Sequence, residues 1–127
     1  MTFHLGTRSL SNLTGIHPSL VNVMHEAIKN SPHDFTITEG VRSKERQKEL
    51  FDKKLSQTMN SRHLTGHAVD IALIKNGKAC WDVQLFEETI LHIQFISKAL
   101  EVPLVFGGHW KTFKDWPHIE LDRKVFP

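Results

Sequence analysis

The run Ala68-Val-Asp-Ile-Ala-Leu-Ile74 is apolar at every position except Asp70 and leads directly into Lys75-Asn76-Gly77-Lys78. Asn-Gly is the pair a two-residue hairpin selects, because both central residues take positive φ and the resulting twist matches the flanking strands. The run is therefore expected to be a strand, returning antiparallel through Ala79 to Trp81. Alternation puts Ala68 and Asp70 on one face and Val69 and Ile71 on the other, so a single carboxylate enters an apolar strand. A buried carboxylate needs a partner, and either a bound cation or an arginine satisfies it.

Helical spacing accounts for much of the rest. Pro18 opens a stretch in which Leu20, Met24, Ala27 and Ile28 recur, predicting a helix over residues 18–30 that Ser31-Pro32 ends. Phe35 to Thr38 reads as a short strand running into Gly40. Ser43 suits the N-cap of a helix over 44–55, with Leu50, Phe51 and Leu55 as its apolar side. Asp82 caps the longest helix, 83–100, whose Phe86, Ile90, Ile93, Ile96 and Leu100 face a core. Short strands follow at 104–106 and 119–121, and residues 56–67 and 107–117 read as loops. Residues 1–16 show little periodicity. Helices and antiparallel strands that do not alternate strictly give an α+β class, a small central antiparallel sheet flanked by about three helices.

The 127 residues suit one domain. Cys80, the single cysteine, removes internal disulfides and multi-cysteine zinc fingers, so any metal site must draw on histidine and carboxylates. The apolar runs are far shorter than the ~20 residues of a membrane helix, so no stable membrane insertion is expected. The start lacks the apolar stretch of a secretory signal, which makes the expected location cytoplasmic. A formal charge of +2 does not argue for nucleic acid as a partner. Arg42 to Lys54 holds six Lys/Arg against three acids and reads as a solvated helix face. A monomer is expected, since no exposed apolar stripe is evident.

Nine histidines invite a metal hypothesis. His63 and His67 have the i, i+4 spacing of zincins, but the glutamate of that motif is missing and Gly66 is poor helix material. A sharper set is His63 before the apolar strand, Asp70 within it and His118 at the start of the last strand. Two imidazoles and a carboxylate make a three-ligand site with one position open, the arrangement of catalytic zinc.

Ser61-Arg-His63-Leu-Thr-Gly66-His-Ala68-Val-Asp70 fits Ser-x-His-x-x-Gly-x-Ala-x-Asp, and Asp115-Trp-Pro-His118 fits a downstream Asp/Glu-x-x-His. Together they resemble the zinc D-alanyl-D-alanine carboxypeptidase superfamily, which includes the L-alanyl-D-glutamate peptidases of phage endolysins and bacterial wall hydrolases. Thr38 to Ser43 with Gln47 and Leu50, and Phe106 to Glu120, resemble further blocks of the L-Ala-D-Glu branch, so the similarity runs from about Asp34 to Leu121. The resemblance implies a Hedgehog/DD-peptidase-like fold and a single zinc peptidase domain over 1–127 without a separate wall-binding domain. It implies zinc on His63, Asp70 and His118, and Asp115 as general base and acid. Arg42 would hold the carbonyl oxygen as charge develops on it, and Ser61 would position the substrate backbone.

The substrate implied is the peptidoglycan stem peptide, cut between L-Ala and D-Glu, by an enzyme held in the cytoplasm until released to the wall. The alternatives are a D-Ala-D-Ala carboxypeptidase or dipeptidase and a zinc-containing module that binds wall peptides without cutting. Each residue also has a plainer reading: Asp115 as a turn cap, Arg42 as an ion-pair partner of Glu39 or Glu45, Ser61 as a loop terminator, Trp110 and Trp116 as packing. The branch usually has Gly-Gly-Asp-Trp where this chain has Gly107-Gly-His109-Trp110, so an imidazole stands in the place of that acid; His109 is expected at the surface.

Overall fold

The computed structural model describes residues 2–56, 58–112 and 114–127. Met1, and Gln57 and Phe113 in the two expected loops, lie outside the described residues. The elements run α1 (Thr7–Asn12), α2 (Pro18–Lys29), β1 (Asp34–Glu39), α3 (Lys44–Asp52), β2 (Ala68–Lys75), β3 (Lys78–Cys80), α4 (Val83–Ala99), β4 (Leu104–Phe106) and β5 (His118–Leu121). Short 3-10 turns at Arg62–Thr65 and Gly107–His109 precede β2 and follow β4.

β2 is the centre of the sheet. β1 pairs antiparallel along one edge, while β3 and β5 share the other, at Leu73–Lys75 and Ala68–Asp70 respectively. β4 completes the order β1-β2-β5-β4. Asn76 and Gly77 take φ of 54° and 76°, the paired positive values that the Asn-Gly hairpin requires.

Strand alternation then divides the sheet by chemistry. Phe35, Ile37, Val69, Ile71, Leu73, Ile119 and Leu121 join Leu20, Val23 and Met24 of α2 and Phe86, Ile90 and Ile93 of α4 in one buried cluster. Asp70, His118 and Glu120 alternate with those strand residues and belong to the opposite face. The register of β1 against β2 slips between Ile37 and Glu39, and this bulge sets Glu39 rather than Thr38 opposite Asp70. A one-residue slip exchanges the two faces of a strand, so the bulge is what adds the carboxylate of Glu39 to those of Asp70 and Glu120 on the polar side.

The expected helices are present with ends one to three residues shorter. Pro18 occupies the first turn of α2, with His17 Nδ1 accepting from the Ser19 amide; Ser43 caps α3 and Asp82 caps α4. The apolar side expected for α3 needs correction. Leu50 is buried, but Phe51 and Leu55 are exposed, and the second buried residue of the helix is Gln47. The helix stops at Asp52 because Lys54 turns left-handed (φ 60°) and the Leu55 amide bonds back to the Leu50 carbonyl at 2.8 Å, carrying Leu55 off the helical face.

α1 lies where no helical periodicity is visible. It has no side-chain N-cap and buries only Ser9. Polar bonds to the outer edge of β1 hold it: Ser9 Oγ lies 2.9 Å from Thr36 Oγ1 and accepts from the Ile37 amide at 2.9 Å, and Asn12 Nδ2 donates to the Ile37 carbonyl at 2.8 Å. The helix thereby covers an edge that would otherwise offer open backbone groups. Among the described residues, no helix is long and apolar enough to cross a membrane.

Candidate metal centre and cleft

The polar face of the sheet forms the floor of a cleft of about 670 Å³, walled by α3 and residues that follow it, the 3-10 turn at Arg62–Thr65, and Trp110, Lys111, Thr112 and Asp115. Asp70 and His118 are direct cross-strand partners on β2 and β5, so backbone pairing sets their separation. His63 arrives on the 3-10 turn. Ser61 Oγ caps that turn by accepting from the His63 amide at 3.2 Å, and Gly66 ends it with φ 75°. A Cβ on Gly66 would also lie 2.5 Å from the Gly15 carbonyl oxygen, so glycine is required there on two counts.

The ring nitrogens of both histidines are sorted by their outer contacts. His63 Nδ1 donates to the Gly40 carbonyl at 2.9 Å, which directs Nε2 to Asp70 Oδ1 at 3.1 Å. His118 Nε2 lies 2.8 Å from Glu120 Oε1, and its Nδ1 is 3.5 Å from Asp70 Oδ1. One carboxylate oxygen is thus approached by two imidazole nitrogens whose partner nitrogens are already engaged. Such a contact is favourable only when a cation, a proton or a metal ion, stands between the lone pairs. One ligand atom from each of His63, Asp70 and His118 lies within 4.8 Å of the other two, a spacing at which the three can hold a metal ion. Each imidazole's remaining nitrogen is tied to a carbonyl or carboxylate, as ligand histidines generally are.

The electrostatics follow from burial and these contacts. Burial pushes the Asp70 carboxyl up, but hydrogen bonds and charge from His118 and His63 outweigh it and hold the group well below the usual carboxylate range. Burial pushes His118 down, while bonding to Asp70 and Glu120 wins and pushes it up to about 9. Asp115 behaves differently. Burial raises its pKa and the charge of Asp70 adds to that, against weaker opposition from His118, His63 and Arg42.

Arg42 is only 8% exposed and its fork is largely engaged. Nε and Nη2 donate to the two oxygens of Glu39 at 2.7 and 3.0 Å, Nη1 donates to Gln47 Oε1 at 2.7 Å, and Nη2 also reaches Asp70 Oδ2 at 3.5 Å. Both partners that the sequence left open for Asp70, a cation site and an arginine, are therefore present, one on each oxygen. Gln47 in turn donates to Ser56 Oγ and the Thr58 carbonyl, fastening α3 to the segment beyond it.

All six residues singled out from the sequence, Arg42, Ser61, His63, Asp70, Asp115 and His118, line this one cleft. Trp110 joins them, its ring 5.2 Å from that of His118, whereas Trp116 packs on Gly108 and the core cluster. His109 is exposed. His67 turns away from His63 to Thr65 Oγ1 and lies beside His17, which removes the zincin pairing. Sequence reasoning offered Glu39 only as an ion-pair partner of Arg42, which it is, and gave no role to Gln47 or Glu120. The signal for Glu120 was present, since the second residue after His118 in a strand shares its face.

Three converging donors with an open side, and a carboxylate of raised pKa in the same cleft, have the form of a hydrolytic metal centre rather than a closed structural one. Comparison with known proteins narrows the class. The phage L-alanyl-D-glutamate peptidase family matches residues 1–127. The L-alanyl-D-glutamate peptidase of Escherichia phage T5 is 32% identical over 130 residues, covering 99% of this chain and 94% of the relative. The peptidoglycan L-alanyl-D-glutamate endopeptidase CwlK of Bacillus subtilis is 33% identical over 124 residues, 84% of this chain and 73% of that protein. The L-alanyl-D-glutamate peptidase of Listeria phage A118 is 28% identical over 129 residues, 45% of its own length. The crystal structure of the Serratia marcescens L-Ala D-Glu endopeptidase ChiX superposes with a TM-score of 0.93 at 36% identity, covering 99% of this chain and 95% of that one. The chain belongs to the phage L-alanyl-D-glutamate peptidase family.

Proposed function

We infer that this protein is a zinc-dependent endopeptidase that hydrolyses the L-Ala-D-Glu bond of the peptidoglycan stem peptide, acting as a monomeric catalytic domain in the breakdown of a host cell wall. The observation that carries this reading is the convergence of His63, Asp70, His118 and Asp115 on one cleft in a member of this family.

His63 through Nε2, His118 through Nδ1 and Asp70 through Oδ1 would hold the ion. Zinc held there would supply Lewis acidity, for polarising a carbonyl and for lowering the pKa of a water toward ~7. Asp115 takes the proton from the attacking water as the oxygen–carbon bond forms. It then delivers that proton to the D-Glu nitrogen as the carbon–nitrogen bond breaks. A carboxyl with a raised pKa suits both halves, since it is basic enough to accept the proton and acidic enough to return it. Arg42 directs its positive charge into the cleft beside Asp70, where it opposes negative charge building on the carbonyl oxygen. Ser61 sits on the wall near His63 and is assigned to the substrate backbone.

The test is mass spectrometry of a muropeptide digest after incubation with the zinc-loaded protein. A new D-Glu amino terminus is the expected product. Release of terminal D-Ala would move the protein to the carboxypeptidase reading, and intact peptide would make it a binding module.

A further inference from the structure

We propose that Glu120 is the positioning residue for His118, fixing the imidazole with its hydrogen on Nε2 and its lone pair on Nδ1, aimed at the metal position. The proposal rests on the metal-dependent reading above and adds to it a residue outside the ligand set.

His118 has two ring nitrogens and the fold must select one. Its Nε2 lies 2.8 Å from Glu120 Oε1 and its Nδ1 3.5 Å from Asp70 Oδ1. A carboxylate accepts and does not donate, so the short contact commits Nε2 to carrying hydrogen and leaves Nδ1 for the ion. Strand alternation makes the pairing local, because residues 118 and 120 share one face of β5. Glu120 lies opposite Ala68, a fully buried small residue that leaves the space above the sheet to the longer side chain.

Glu120 is itself held. Its side chain is 12% exposed, and its other oxygen, Oε2, faces two guanidinium groups, Arg62 Nε and Arg123 Nε, each at 3.9 Å. Arg62 is buried and anchored through Nη2 to the carbonyls of Leu121 and Phe126. Its Nε is a buried donor without a hydrogen-bond partner among the described residues, which leaves its charge directed at Glu120. One carboxylate oxygen therefore orients the imidazole while the other is fixed by positive charge. Glu120 is not one of the three residues whose ligand atoms converge.

The experiment uses the full chain and two readouts. The first is zinc affinity by competition with a chromophoric chelator at fixed pH, for the parent protein, Glu120→Gln and Glu120→Ala. Loss of such an outer partner costs about 10–100-fold in metal affinity, so Glu120→Ala is expected to weaken zinc by that factor. Glu120→Gln, whose amide oxygen still accepts from Nε2, is expected to recover part of the loss. An affinity for Glu120→Ala within threefold of the parent would overturn the proposal. The second readout needs no variant: long-range 15N–1H correlation of the zinc-loaded parent reports the tautomer of His118. Hydrogen on Nε2 is expected; hydrogen on Nδ1 overturns the assignment whatever the variants do. A purely structural role for Glu120 would shift thermal unfolding without altering the tautomer or the affinity. A parent protein that takes up no zinc would defeat the metal reading itself, a failure separate from one confined to the variants.

Discussion

Gly107 is a position where one added methyl group should disable the site and leave the fold standing. A Cβ built there would lie 2.2 Å from the Asp115 carbonyl oxygen and 2.9 Å from His118 Cβ. Ordinary contact begins near 3.4 Å, so the Asp115 backbone must retreat by about 1.2 Å, the difference from 2.2 Å. The obstacle is backbone and has no flexible end to swing aside. Two further bonds resist the shift, since the Gly107 carbonyl accepts from the amides of both Trp110 and Asp115, at 3.2 and 3.0 Å. The displaced segment carries the proposed general base and, three residues on, a proposed ligand. A misplacement of about 1 Å can cost on the order of 100-fold in rate, and overpacking of this kind costs about 1–3 kcal/mol of stability. Gly107→Ala is therefore expected to lower kcat/KM on a stem peptide about 100-fold while still unfolding cooperatively, with a reduced urea midpoint. Gly6→Ala is the matched control, because nothing lies within 4 Å of its Cβ position. Activity of Gly107→Ala within threefold of the parent would refute the argument that this close approach positions Asp115 and His118.

Other outcomes follow from the same geometry. Asp115→Asn removes the proton carrier but no ligand, and should cut kcat by about 10²–10⁴ with zinc content unchanged by elemental analysis. Chelation should abolish activity reversibly with far-UV circular dichroism retained, because Asp70 and His118 lie on the sheet face opposite the apolar cluster and none of the three candidate ligands belongs to that cluster. The pH dependence of metal-free stability has two limbs. Asp70, depressed from 3.8, contributes stability that is present above that value and lost as pH falls below it; His118, raised from 6.5, contributes stability present below 6.5 and lost as pH rises through about 9. Urea midpoints of the apo protein should thus decline at both ends of this range. Zinc binding at pH 7 should release close to one proton from His118, measurable by calorimetry in buffers of different ionisation enthalpy.

The parts of this molecule legible in its sequence are those governed by short-range periodicity. Alternation along β2 placed Asp70 opposite Val69 and Ile71, Asn76-Gly77 fixed the hairpin, and Ser43, Asp82 and Pro18 marked helix starts where helices begin. What was hidden depends on partners far away in the chain. α1 is held by Ser9 and Asn12 bonding to β1, contacts between residues 25 to 28 positions apart that no local pattern encodes. Gln47 is buried because Arg42, Ser56 and Thr58 surround its amide, so a residue that reads as solvated becomes interior. The site divides in the same way. The chemistry of His63, Asp70 and His118 could be read from residue types and motif. The β1 bulge that brings in Glu39, and the engagement of Arg42 by Glu39, Gln47 and Asp70 together, emerge only from the register of the assembled sheet.

β5 belongs at once to the interior and to the cleft, with Ile119 and Leu121 facing one way and His118 and Glu120 the other. Two of the three candidate ligands are thus immobilised by the sheet that folds the domain, before any ion arrives. In a zinc finger, coordination must supply the free energy that orders the chain, and affinity is lowered by that work. Here little conformational entropy remains to be lost on binding. The free energy of coordination is correspondingly left for affinity and for polarising a substrate, and inventions in specificity are left to the loops that wall the cleft.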